Sequence, residues 1–375
     1  MAERRKLPAR INPTRKTVTP WPGECLPSIA VRYAERTAIT VGELLASGLS
    51  MRATDLASLP LTRDAVLAMS HLASLDPDDM LLRSYDTSGE TVAIGDLGIP
   101  AYLLDPARRR VAPGTLKRDG DAPWIRLSWQ LRCFACEPTS GEMLVDHCPC
   151  GKPISWVRCM SVFRCNWCGA DLRDIPVRQA PAHLVESSRT FAALLGFGVS
   201  TASSRTIERL FPSASAGARL ELFALLGRLQ YRTEGAGPPL SCSLAPIRGL
   251  ELALGWPTSF DGIVAGFVDA QPTRLGPAGA LVDLRTEIDA IKQGPIRRTL
   301  LRRVEAGVRR AERIRRKKPN RPVRYRKTNH WESQVHAGRA ARDASRQEAL
   351  QPVLDWLQRF RTKPVDQVSR LRLRD

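Results

Sequence analysis

Apolar residues recur at helical spacing from Ser28 to about Leu75. Ile29, Tyr33 and Ala34 share one face, and Thr40 with Glu43 forms a capping box ahead of Leu44 and Leu45. Gly48 breaks that run, and Ser50 and Thr62 are expected to cap two further short helices ending near Asp76 and Pro77. Thr40–Ala46 and Ser50–Ser58, on either side of Gly48, fit a helix-turn-helix; short helices packing a core fit the same spacing. Over residues 78–130 the pattern is lost, because Gly95, Gly98, Pro100, Pro106, Pro113 and Pro123 exclude long elements. Helical spacing returns over residues 183–269, with Ser204 and Ser259 as expected caps and Leu220, Phe223, Ala224 and Leu226 as a buried stripe. Residues 281–316 and 330–361 read as long polar helices. Between them, Lys318-Pro319-Asn320-Arg321-Pro322 cannot stay helical.

Cysteine placement adds chemistry to this outline. Seven of the nine cysteines fall between Cys133 and Cys168, a clustering that reads as metal binding in a reducing compartment. Cys25 and Cys242 lie outside it and read as small buried hydrophobes. Cys165-Asn166-Trp167-Cys168-Gly169 is half of a zinc knuckle, with glycine where the turn needs a left-handed residue. Cys148-Pro149-Cys150-Gly151 is its partner, one residue short of the usual spacing; a strand would point both thiols to the same side. Cys148, Cys150, Cys165 and Cys168 therefore make the leading ligand set, for a structural zinc ion with no open coordination position. Cys133 and Cys136, with Cys159 and His147, keep open a second ion or a rearranged site.

The expected fold is mainly α with a small zinc-ribbon β module. A basic flexible arm (1–22) precedes an N-terminal helical, helix-turn-helix-like region with an irregular connector (23–130). The zinc ribbon (131–173), a second helical unit (174–280) and a basic helical extension (281–375) follow.

Charge points to the partner. Lys plus Arg number 57 against 38 Asp plus Glu, a net +19 that suits a polyanion. Arg297 to Lys327 holds fifteen of these cations against Glu305 and Glu312 alone. Leu300, Leu301, Val304, Val308, Ala311 and Ile314 give that tract an apolar face. Arg297, Arg298, Arg302, Arg303, Arg309, Arg310, Arg313, Arg315, Arg316, Lys317 and Lys318 are the candidate phosphate contacts. A solvated helix that binds nothing specific has the same pattern. A membrane surface is disfavoured, since the face lacks Trp and Phe. Tyr325, His330 and Trp331 follow and suit either stacking on bases or packing.

No stretch is apolar enough to span a membrane, and the basic start lacks a signal peptide's apolar region, so a cytoplasmic location is expected. P-loop, Gly-x-Ser-x-Gly, His-Glu-x-x-His and zinc-deaminase signatures are absent, and Asp78-Asp79 reads as a solvated cap, so no catalytic residues are assigned.

A family resemblance now enters. Pro22-Gly23-Glu24-Cys25-Leu26-Pro27-Ser28, with Arg32 and Ala34, resembles the N-terminal signature of TniQ proteins, the target-selection adaptors of bacterial transposons. Arg126-Leu127-Ser128-Trp129, Met143 to Cys148, Cys165 to Leu172, and Trp256-Pro257 with Phe260 are similar to later family segments in order. The chain departs where the family has a first zinc site, offering Ala112-Pro113-Gly114-Thr115-Leu116 and Cys136 or Glu137 followed by Ser140. The resemblance implies a bacterial, nucleoid-associated adaptor without catalysis. It would link DNA or a target-recognition complex to an AAA+ ATPase and transposase, and family members can form homodimers. A stand-alone zinc-ribbon DNA-binding regulator and a nucleic-acid-processing enzyme are the competing readings.

Overall fold

A computed structural model of the chain describes residues 17–88, 91–234, 244–270, 281–289, 291 and 294–317. Pro27 sits in the first turn of α1 (Leu26–Thr37), where its missing N–H costs nothing, and left-handed Ala38 (φ 58°) ends the helix. Ile29, Tyr33 and Ala34 are buried as their spacing predicts. The expected capping box opens α2 (Val41–Glu43): Glu43 N donates to Thr40 Oγ1 (3.1 Å) and Thr40 N to Glu43 Oε2 (2.8 Å).

The helix-turn-helix expected next does not form. Leu44–Gly48 widens into a π-type turn, Ser50 adopts φ 52° instead of an extended N-cap conformation, and Pro60 holds Leu56–Leu61 as a 3-10 segment. Helix α3 (Arg63–Ala73) follows Thr62, whose side chain makes no capping bond, and Tyr33 Oη donates to Leu72 O at 2.9 Å. Asp76 rather than the Asp78-Asp79 pair caps α4 (Pro77–Leu81), while Asp79 pairs with Arg83.

The connector is not irregular throughout. Tyr85–Ser88 (β1), Thr91–Ile94 (β2) and Leu97–Pro100 (β3) form an antiparallel sheet in the order β1-β2-β3, with Tyr85 opposite Ile94 and Val92 opposite Ile99. Helix α5 (Pro113–Arg118) follows. Residues 131–173, where the β module was expected, hold isolated bridges and one 3-10 turn, without a named strand.

The second helical region contains α6 (Ala182–Leu194), α7 (Ala202–Leu210), α8 (Ala216–Glu234), α9 (Leu244–Leu254) and α10 (Thr258–Ala270). Thr201 caps α7 with Ser204 as its reciprocal partner, so Ser204 serves three residues inside the helix, and Ser259 likewise lies within α10. Leu220, Phe223, Ala224 and Leu226 are buried, as are Leu222, Leu225 and Leu229, which makes α8 a central helix rather than a one-sided one. Glycine permits its close contact with α9: a Cβ on Gly249 would overlap the Phe223 carbonyl, and one on Gly227 the Ala245 carbonyl. Trp256 packs between Phe211 and Phe260, with ring centres 5.5 and 5.4 Å away.

The first polar helix of the extension is broken into α11 (Val282–Asp289) and α12 (Gly294–Lys317). The second, expected over 330–361, lies outside the described residues, as do Cys242, Tyr325, His330, Trp331 and most of the basic arm. Residues 17–22, read as part of that mobile arm, are held in place: Val18 is buried and Trp21 stacks near Trp124. Among the described residues no helix is long and apolar enough to cross a membrane.

Candidate metal centre and candidate nucleic-acid interface

Two tight turns assemble the metal site. In the first, Gly151 N donates to Cys148 O (2.8 Å) and Cys148 N to Lys152 O (2.9 Å). In the second, Gly169 N donates to Cys165 O (3.0 Å) and Cys165 N to Ala170 O (2.9 Å). Both glycines are left-handed, at φ 79° and 75°. The missing residue of Cys-x-Cys is thus absorbed by a turn one residue shorter, not by a strand. Each turn is closed by a bridge, His147 to Pro153 and Arg164 to Asp171.

The turns face one another. Cys148 Sγ lies 3.6 Å from Cys168 Sγ and Cys150 Sγ lies 4.0 Å from Cys165 Sγ, and all four sulfurs fall within 4.8 Å of one another. A tetrahedral zinc ion with Zn–S near 2.3 Å requires sulfurs about 3.8 Å apart, so the four thiols fit that ion. Asn166 ties the turns together, accepting from Ser155 N and donating to Ser155 Oγ, both at 3.2 Å, while Trp167 Nε1 donates to Pro153 O at 3.0 Å.

Local electrostatics favour a thiolate at one corner first. Burial pushes Cys165 up, but the Cys168 and Trp167 amides and its neighbouring thiols outweigh that and bring it down to about 7. Burial and the adjacent sulfurs drive Cys148 the other way, to about 12. A metal ion would displace the remaining protons.

The alternative ligands are not brought together. Cys133 is fully buried, Cys136 lies 3.3 Å from Ser188 Oγ, Cys159 contacts Arg109, and His147 pairs with Asp146. Among the described residues the Cys148, Cys150, Cys165, Cys168 set is the one metal-sized group.

The basic helix is docked rather than free. Ile296, Leu300 and Val304 bury one face of α12, a Cβ on Gly307 would strike Val264 of α10, and Arg303 pairs with Asp261 at 3.4 Å. Arg298, Arg302, Arg309 and Arg313 are exposed on the opposite face, since their spacings of four, seven and four return to one side of a helix. Arg310 is exposed beside that stripe and Arg297 is half-buried. Arg315, Arg316 and Lys317 belong to the helix with side chains outside the description, and Lys318 lies outside it altogether.

The TniQ-like N-terminal signature has a physical basis. Glu24, fully buried, accepts from Trp21 N (3.0 Å), Ser28 Oγ (2.7 Å) and Arg32 Nη1 (2.5 Å), and Ser28 Oγ accepts from Ile125 N (3.0 Å). The signature therefore fastens the start of α1 to the segment carrying Arg126-Leu127-Ser128-Trp129.

A mainly helical chain that also holds a cysteine cluster able to bind a metal ion is a helical scaffold with a cysteine-rich module. Comparison with family models adds one finding: residues 16–137 match the TniQ family model. The segments from Met143 to Leu172 and at Trp256 lie beyond the matched residues. No curated protein matches the chain.

Proposed function

We propose that this protein is a transposition adaptor. On this reading it engages DNA, a target-recognition complex or both, and links them to the AAA+ ATPase and transposase of a bacterial mobile element. The observation that carries the reading is the TniQ match over residues 16–137, because a TniQ domain implies a transposition-associated adaptor role. The rest of the molecule suits it. Positioning partners requires rigid surfaces and phosphate contacts, and no reactive group. A zinc ion held by Cys148, Cys150, Cys165 and Cys168 would supply the rigidity, and the α12 arginines the phosphate contacts. Such a protein acts in the cytoplasm, at the nucleoid.

A nuclease-treated pull-down of the tagged full chain from its host, followed by mass spectrometry, tests the reading. Enrichment of an AAA+ transposition ATPase or a transposase is the expected result. Recovery of neither, with DNA lost on nuclease treatment, would replace the adaptor with a stand-alone zinc-containing DNA-binding regulator.

A further inference from the structure

Arg108, Arg109 and Arg110 are three consecutive arginines outside the basic tract of residues 297–327. In the fold each braces a different segment. Arg108 Nη1 pairs with Asp146 Oδ2 at 2.9 Å, two residues before Cys148. Arg110 donates through Nε to Trp129 O (2.6 Å), through Nη1 to Phe134 O (2.7 Å) and through Nη2 to Leu131 O. Arg109 points the other way, as successive side chains of an extended segment do.

Arg109 is fully buried. Its Nη1 donates to Ser161 O (2.5 Å), Val162 O (3.0 Å) and Cys159 Sγ (3.1 Å), and its Nη2 to Arg164 O (2.6 Å). Its guanidinium carbon lies 5.5 Å from the ring centre of Trp156, and its own backbone N–H donates to Ile154 O at 3.0 Å. These side-chain bonds go to three carbonyls and a thiol, none to a carboxylate. Burial raises the Cys159 thiol, so that group does not supply an anion either. The carboxyl of Glu35 acts on both Ser161 and Cys159, so an acidic side chain stands beside this cluster. The Arg164 carbonyl held by Arg109 belongs to the residue directly before Cys165.

We propose that Arg109 is the positioning residue of the tetrathiolate centre: through its bonds to the Ser161, Val162 and Arg164 carbonyls it fixes the loop that delivers Cys165. This rests on the reading of the four cysteines as a zinc site. The claim differs from general stabilisation, because half-buried Arg110, in the same segment, gathers as many carbonyls from a loop that holds none of the four ligands.

The test uses the full chain, with zinc as the probe, chelator competition for affinity, and cobalt substitution for the thiolate-to-metal charge-transfer band. Arg109→Met is expected to weaken zinc binding by about 10–100-fold and to alter the cobalt band, as loss of an outer-shell partner does. Arg109→Lys, which keeps the charge without the planar fork, should fall between it and wild type. Arg110→Met should lower the melting temperature yet hold zinc within about twofold of wild type. Zinc affinity unchanged in Arg109→Met, or reduced equally in Arg110→Met, would overturn the proposal. Should the methionine variants fail to fold, zinc release rates of Arg109→Lys and Arg110→Lys decide: faster release confined to Arg109→Lys supports the proposal, and equal rates overturn it. A wild-type chain that binds no zinc overturns the metal reading and this proposal together, whereas zinc-loaded wild type with unaffected Arg109 variants overturns this proposal alone.

Discussion

Thr115 and Ser140 face each other hydroxyl to hydroxyl, Oγ1 to Oγ, at 3.2 Å. They occupy the two stretches where the resemblance implies a first zinc site, and here a hydrogen-bonded cross-link joins those stretches instead. Glu142, buried, accepts from Thr115 N (3.0 Å) and pairs with Arg118 (2.8 Å), while Glu137 accepts from Ser140 N (2.5 Å). Gly114 leaves room for this, since a Cβ there would stand 2.5 Å from Glu142 Oε1.

Glu142→Ala should therefore destabilise the chain by about 2–3 kcal/mol, because it strands a buried N–H at the start of α5 and breaks the link to residue 118. Chemical denaturation measures the loss. It should be the same with and without chelator, since this cross-link holds no thiolate; a variant as stable as wild type would remove the cross-link's structural role.

The metal centre predicts a different response. Cys165→Ser should lower both metal content and melting temperature, because metal-binding energy becomes folding energy when the site exists only in the folded chain. Cys133→Ser and Cys136→Ser should leave metal content at one ion per chain. Elemental analysis with thermal unfolding checks both, and a Cys165→Ser protein that keeps its melting temperature without metal would refute a structural zinc.

Local chemistry was legible where neighbours in sequence are neighbours in space. The Thr40–Glu43 capping box, the buried face of Ile29, Tyr33 and Ala34, and buried Leu300 and Val304 of α12 follow helical spacing, while the four cysteines, paired across fifteen and twenty residues, were legible because each half of the site is a short turn motif. The sheet escaped notice because its strands are four residues long and carry Gly98 and Pro100, too short for alternation to outweigh turn residues. Ser50 does not cap a helix start because it follows a helix end: its left-handed backbone comes after the π-type turn, where Met51 N donates back to Leu45 O. Arg109 could not be told from a surface arginine, for its partners lie more than fifty residues along the chain.

The capping box also gives a pH dependence. The Glu43 carboxyl is held below its usual value, first by the Thr40 backbone N–H and then by the Thr40 hydroxyl. A depressed folded pKa means that the carboxylate's contribution is fully present above the unfolded value, about 4.3, and is lost as pH falls through the folded value. Thermal unfolding of wild type and Glu43→Gln from pH 3 to 7 should show wild type more stable at neutral pH and the curves converging in acid. A gap that stays constant with pH would show that the charge plays no part.

The docked basic helix makes the last prediction quantitative. Arg313 lies fifteen positions after Arg298, about 22 Å at 1.5 Å per residue, along a duplex that carries a charge about every 3.4 Å on each strand. Each arginine that neutralises a phosphate contributes about 0.9 to the slope of log affinity against log salt. Replacing Arg298, Arg302, Arg309 and Arg313 together by Gln should then reduce the slope by about 3 to 4. Arg303→Gln should change it less, because Arg303 is half-buried and already paired with Asp261. Fluorescence anisotropy with a random duplex across a salt series measures both. Cutting after Pro295 removes the stripe together with the basic residues beyond it, so its loss of slope should be at least as large. If the fourfold variant keeps the wild-type slope while the truncation loses it, the phosphate contacts lie beyond the stripe. If neither changes, α12 is a solvated cover over α10 and DNA is held elsewhere.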